Sequence, residues 1–320
     1  MQSQAQIARD LVLVGGGHSH ALALRMLAMQ PVAGLRITLV SPASHTPYSG
    51  MLPGLVAGHY TFEQTHIDLA RLCQWGGVRF ITAEVTALDP AARRLSLADR
   101  PDIEYDLVSI DIGSQPELDS VPGAREHAVP VKPVAGLWQR WQHLMQRLEI
   151  SPAPDRRRIA VVGGGAGSVE LALAMAHRLA GHEVEISLWC GAPDILQGYN
   201  GGARKAVRAA LAREGVALTL DARVERVEAN RLRLADGREA PFDELFWCTG
   251  AAAAPWIADS GLPVDERGFL AVTDTLQSTA EPSVFGAGDI ATQVNHPRPK
   301  AGVYAVRQAP VLAHNLRAAV

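Results

Sequence analysis

Short apolar runs that break into glycine clusters set the pattern of this chain. Leu11-Val12-Leu13-Val14 leads into Gly15-Gly16-Gly17, and much later Ile159-Ala160-Val161-Val162 leads into Gly163-Gly164-Gly165. Each cluster opens an alanine- and leucine-rich stretch of helical period, about Ser19–Met29 and about Ser168–Leu179. A second apolar run follows each, Leu35–Val40 and Val184–Leu188. Apolar runs of strand length alternating with amphipathic stretches of helix length predict parallel strands joined by crossover helices. In both copies the second strand ends at the same distance from the first glycine, at Ser41 and at Trp189.

The tail adds two more glycine-punctuated strands. Phe246–Cys248 ends at Thr249-Gly250, and Val284-Phe285 runs into Gly286-Ala287-Gly288-Asp289. Prolines from Pro130 to Pro133 and from Pro152 to Pro154 bracket a helix carrying Trp138 and Trp141, which three-residue spacing puts on one face. The expected fold class is α/β: two Rossmann-like three-layer dinucleotide-binding domains, the second inserted in the first. The expected boundaries are 1–125 plus 270–320 for the first and 126–269 for the second.

A glycine turn at a helix N-terminus suits a pyrophosphate, which must approach the backbone closely and accept from its amides, while the helix dipole favours negative charge. Gly15 and Gly17 serve the first turn, and Gly163, Gly165 and Gly167 the second. Both turns depart from the usual pattern at its last position, where His20 and Ser168 replace glycine or alanine. Ser168 is small; His20 is bulky and predicts looser helix–strand contact or a side chain turned outwards. The second strands end at Ser41 and Trp189 instead of the usual ribose-binding carboxylate, so no residue there selects NADH or NADPH.

Composition narrows the function. With 48% apolar and 20% charged residues the chain is globular, and a net charge of −3 without a basic stripe argues against nucleic acid. Met1–Asp10 is polar and no uncharged run is long enough for a membrane helix, so a cytoplasmic location is expected. Cys73, Cys190 and Cys248 are far apart, which excludes an internal dithiol relay. His18 and His20 do not share a helix face, and no metal site is expected.

In their order, the two glycine turns, Trp247-Cys248-Thr249-Gly250 and Val284-Phe285-Gly286-Ala287-Gly288-Asp289 resemble the two-dinucleotide flavoproteins of the pyridine nucleotide–disulfide oxidoreductase superfamily. The loop His45-Thr46-Pro47-Tyr48-Ser49-Gly50-Met51-Leu52-Pro53-Gly54 stands where disulfide reductases keep paired cysteines and has none. It resembles the type II NADH dehydrogenase-like group. With Lys300–Gln308, it is most similar to the flavoprotein found fused ahead of selenophosphate synthetase.

The resemblance implies FAD along the first unit, with its pyrophosphate at Gly15, Gly17, His18 and Ser19 and its adenine near Val85. Asp289 would bond the ribityl chain, and a helix starting near Gly302 would face the pyrimidine edge. Ser41 and Gly113 are further FAD candidates. NAD(P)H would lie against Gly163–Ser168, with Gly250 nearby and its nicotinamide on the flavin. Pro47 and Tyr48 would flank the flavin, Lys300 would fix its polar edge, and Glu170, on the first helical turn, would bond the carboxamide or pass a proton. Glu170, Tyr48 and Lys300 are thus the catalytic candidates.

The implied activity is FAD-dependent NAD(P)H:acceptor oxidoreduction, with a quinone as one acceptor. A non-enzymatic flavin-binding partner and a reductase for a selenium or sulfur compound are the alternatives. The chain ends at Val320 within a predicted helix, whereas the resembled families continue. The quinone pocket and peripheral contact with the inner face of the membrane would be built by that later segment, and the oligomeric state is left open.

Overall fold

The computed structural model describes residues 7–150 and 157–320, so the prolines Pro152–Pro154 that bracket the tryptophan helix on its far side lie outside the described residues. Two compact units emerge. One comprises residues 1–48, 66–114 and 252–320, the other 49–65 and 115–251. The proline-bearing loop from Ser49 and the segment 115–125 thus group with the second unit, and 252–269 with the first.

The first unit opens with strand β1 (Arg9–Val14), helix α1 (His18–Met29) and strand β2 (Leu35–Ser41). Helix α2 (Leu69–Gly76) starts on the side chain of Asp68, which accepts from Arg71 N at 2.9 Å, and stops at left-handed Gly77. Strands β3 (Arg79–Thr82) and β4 (Leu107–Ile110) follow. Leu11 to Val14 and Leu107 to Ile110 are buried without alternation, as a sheet covered on both faces requires.

The second unit carries strand β5 (Val129–Pro130) and helix α3 (Val134–Ile150). Trp141 is buried in the core of that helix and Trp138 packs beside it, so both tryptophans serve packing. Then come strand β6 (Arg157–Val162), helix α4 (Ala166–Arg178), strand β7 (Val184–Trp189), helix α5 (Gly201–Arg213), and strands β8 (Ala217–Thr219) and β9 (Glu244–Trp247). Returning to the first unit, strand β10 (Val284–Gly286) precedes helix α6 (Gly302–Ala319).

The two central sheets are copies of one plan. In the first unit the order is β10-β4-β1-β2-β3, and in the second it is β5-β9-β6-β7-β8, with every pair parallel. In each, the glycine turn leaves the central strand at its carboxyl end, where ligands of such sheets bind.

One charge cluster stabilises the second unit from behind its sheet. Glu244 on β9 is buried and takes two arginines from α3, Arg140 at 2.7 Å and Arg147 at 3.0 Å. The arginines keep part of their surface in water, which lowers the desolvation penalty of the pair.

Candidate functional site

Equivalent hydrogen bonds shape the two glycine turns. Gly15 N donates to Val40 O at 2.8 Å and Asp111 N to Val14 O at 2.8 Å. In the second unit Gly163 N donates to Trp189 O and Cys248 N to Val162 O, each at 2.9 Å. Asp111 and Cys248 therefore occupy matching places behind the two turns.

Packing from behind demands the glycines. Gly15 has φ +89°, and a Cβ there would come within 2.5 Å of Asp111 O. A Cβ on Gly16 would strike Leu69, and one on Gly17 would strike the Asp111 carboxyl. The turn is left with bare backbone at the N-terminus of α1, the surface a diphosphate needs. In the second turn, Gly163 lies against Cys248 and Ser168, and Gly164 against Cys190 Sγ. Around Gly165 and Gly167 there is open space, so the outer side of that turn is clear. Both turns fit a dinucleotide diphosphate.

His20 corrects the sequence reading. It is fully buried, not turned outwards, with Nδ1 2.7 Å from Gly15 O and Nε2 2.8 Å from Ser109 Oγ. Burial pushes its pKa down to about 4, so the ring is neutral. One tautomer satisfies both contacts: Nδ1–H donates to the Gly15 carbonyl, and Nε2 accepts from Ser109. The histidine tightens the turn where a third glycine would leave a gap. Ser168 solves the same position differently, donating to Gly165 O at 2.7 Å.

Around the first turn the structure gathers several predicted residues. Ser19 is buried, and its hydroxyl donates to Ala305 O at 2.8 Å, tying α1 to α6. The His18 ring lies 4.8 Å from that of Tyr48, next to Pro47, and burial lowers the His18 pKa. Ser41 closes its own turn through Ala43 O, and its carbonyl accepts from Ala83 N at 3.1 Å, two residues before Val85. Asp289, in the turn after β10, accepts from Ser114 Oγ at 3.2 Å. Neighbouring Gly288 N donates to Gln308 Oε1 on α6 at 2.7 Å. Gly113, with φ +72°, makes the bend between Asp111 and Ser114. Gly302 is the first residue of α6, as predicted from the sequence.

Lys300 sits in a structural tie. Its Nζ donates to Ala291 O at 2.7 Å and Thr292 Oγ1 at 2.8 Å, and lies 4.0 Å from the centre of the Phe269 ring. Burial lowers its pKa to about 8, against the opposing pull of Asp265 and Asp289. In the second unit, Gly250 has φ +66° and packs against Glu117, whose carbonyl accepts from Trp247 Nε1 at 3.0 Å. Glu170 is exposed and lies on the second turn of α4, which begins at Ala166, not on the first as the sequence suggested. Partial burial raises its pKa.

Asp111 escaped sequence reasoning. It is 2% exposed, and its Oδ2 accepts from His20 N at 3.0 Å. The available signal was a single carboxylate ending the run Leu107–Ile110, two residues before Gly113. Among the described residues, no group of three His, Cys, Asp or Glu is placed to hold a metal ion. Nor is any helix among them long and apolar enough to cross a membrane.

Comparison with known proteins agrees with this geometry. A family model described as pyridine nucleotide-disulphide oxidoreductase matches residues 9–309. The chain is 26% identical over 289 residues to the demethylphylloquinone reductase NdbB of Synechocystis, covering 87% of this chain and 71% of that one. It is 28% identical over 223 residues to an NADH dehydrogenase-like protein of Mycobacterium tuberculosis, covering 67% of this chain and 56% of that one. The chain thus spans little more than half the length of the second relative. Its fold is similar to that of NDH2 from Plasmodium falciparum in complex with NADH. The TM-score is 0.78 at 17% identity, covering 89% of this chain and 65% of that one.

Proposed function

The chain belongs to the pyridine nucleotide-disulphide oxidoreductase family, and from that premise we propose that it oxidises NAD(P)H and passes the electrons to a quinone. It is an FAD-dependent dehydrogenase of the type II NADH dehydrogenase-like kind. The observation that carries the reading is the pair of equivalent glycine turns, each at the carboxyl end of its own parallel sheet.

When bound, FAD supplies the two-electron chemistry between nicotinamide and acceptor. The chain's residues bind and orient. In this reading Gly15, Gly17, His18 and Ser19 would hold the FAD diphosphate, Asp289 would take a ribityl hydroxyl, and Val85 and Ser41 would serve the adenosine end. The N-terminus of α6 at Gly302 would favour negative charge on the flavin's pyrimidine edge by about 1 kcal/mol. In the second unit Gly163, Gly165, Gly167 and Ser168 hold the NAD(P)H diphosphate, and Gly250 shapes the adjacent turn. Glu170, exposed above that turn, is available to the carboxamide. Tyr48 and Pro47 would flank the flavin, and Lys300 would brace its polar edge.

The quinone acceptor is supported by two features. The proline-bearing loop has no cysteine that could relay electrons as a dithiol, and the Synechocystis relative is named for a quinone substrate. Steady-state turnover with a soluble naphthoquinone, a ferredoxin, a disulfide and oxygen tests the choice. The quinone should give the highest kcat/KM; preference for any other acceptor would overturn it. NADH and NADPH are to be compared in the same assay, because β7 ends at Trp189 with neither a carboxylate nor an arginine.

A further inference from the structure

The carboxyl of Asp111 stands where the fold's other copy keeps a neutral group. Cys248 fills the matching place behind the second turn. Its thiol is partly buried and, with its pKa pushed far up by desolvation, uncharged. Behind the first turn the group is an acid, closed in by Gly17 on one side and Gly288 on the other, since a Cβ on either glycine would strike it. Backbone N–H groups of His20 and Ser19, at the start of α1, donate to it.

These amides and the positive end of α1 are what a diphosphate would use. A full negative charge on Asp111 opposes such a ligand at short range in a poorly hydrated place. This inference rests on the FAD reading above. We propose that Asp111 makes FAD binding proton-linked: the first turn accepts the diphosphate when the Asp111 carboxyl is protonated, and binding takes up one proton.

The surroundings agree. From the turn after β10, Asp289 adds a second negative charge that disfavours ionisation of Asp111. From α1, His20 is neutral and offers no counter-charge, while His18 has its pKa lowered by burial. From α6, Gln308 and Ala305 are uncharged, and from α2 the residue against the turn is Leu69. Burial, with Asp289, brings the Asp111 pKa up to about 7 against the opposing His20 and Ser19 hydrogen bonds. The diphosphate's own charges would raise it further.

Lys300 is the rival source of pH dependence, because it loses its positive charge in a neighbouring range. The test is FAD affinity of the deflavinated full chain, read by flavin fluorescence between pH 6 and pH 9. The wild type, Asp111→Asn and Lys300→Gln are compared. One proton per FAD predicts a wild-type Kd rising about tenfold per pH unit above pH 7. Asp111→Asn should bind as tightly at pH 9 as at pH 7, and Lys300→Gln should keep the slope. A flat wild-type profile, or a slope retained by Asp111→Asn and lost in Lys300→Gln, overturns the proposal.

Should the asparagine variant not fold, calorimetry of the wild type at pH 8 in two buffers of different ionisation enthalpy decides the matter. Uptake of about one proton per FAD supports the proposal, and none overturns it. FAD binding with no pH dependence removes this inference alone. Absence of FAD binding at every pH removes the proposed function with it.

Discussion

His20 Nε2 lies 2.8 Å from Ser109 Oγ, and through this contact the helix of the first glycine turn is fastened to strand β4. The same ring holds the Gly15 carbonyl at 2.7 Å, so one side chain ties α1 both to the start of the turn and to β4. Replacing His20 by Ala should leave Ser109 and a carbonyl unpaired in a closed space and cost about 3 kcal/mol. Denaturant unfolding of the deflavinated chain checks this. His20→Gln should recover part of the loss, because an amide can reach one of the two partners.

Protonation of the same residues gives a second prediction. His20 is neutral when folded, with a pKa near 4 against an ordinary 6.5, so the unfolded chain binds more protons between those values. Its contribution to stability is therefore present above pH 6.5 and lost as pH falls toward 4, at about 1.4 kcal/mol per pH unit. Asp111 acts oppositely. Its folded pKa is near 7 against 3.8, so stability falls as pH rises between those values. The two slopes should cancel across pH 4–6.5 in the wild type. Unfolding free energies should then rise with pH in Asp111→Asn and fall with pH in His20→Gln.

In the second turn, Gly164 is held against Cys190. Gly164→Ala would drive its methyl group into the Cys190 sulfur, lowering stability by about 2 kcal/mol and raising KM for NAD(P)H several-fold. Adding Cys190→Ala makes room and should restore most of both. Failure of that rescue in the double variant would show that the turn is not shaped by this contact.

Glu244 tests the frame behind the site. Glu244→Ala leaves Arg140 and Arg147 without their buried partner. The loss should be about 2 kcal/mol, below the value for fully buried pairs because the arginines reach water. Thermal unfolding should show it, with kcat/KM unchanged at temperatures where the variant is folded.

Much of this was legible in the sequence. The apolar runs marked the central strands of both sheets, and the glycines marked the turns, because buried parallel strands and bare turns leave so strong a compositional trace. Helix starts shifted by a residue or two, which moved Glu170 to the second turn of α4. His20 misled because its type suggests exposure, and its partner Ser109 becomes visible only when β4 is laid beside β1. Asp111 depends on the same long-range pairing. Lys300 shows the converse: its position was noticed, but its bonds to Ala291 and Thr292 depend on a fold-specific loop.

The central claim is that one chain binds both dinucleotides for electron transfer, and anaerobic addition of NADH or NADPH to the FAD-loaded protein tests it most directly. Bleaching of the flavin's visible absorbance by one equivalent of either nucleotide, abolished or strongly slowed by Gly165→Trp in the second turn, is the predicted result. A flavin spectrum unchanged by both nucleotides, or bleaching indifferent to that substitution, would contradict the account.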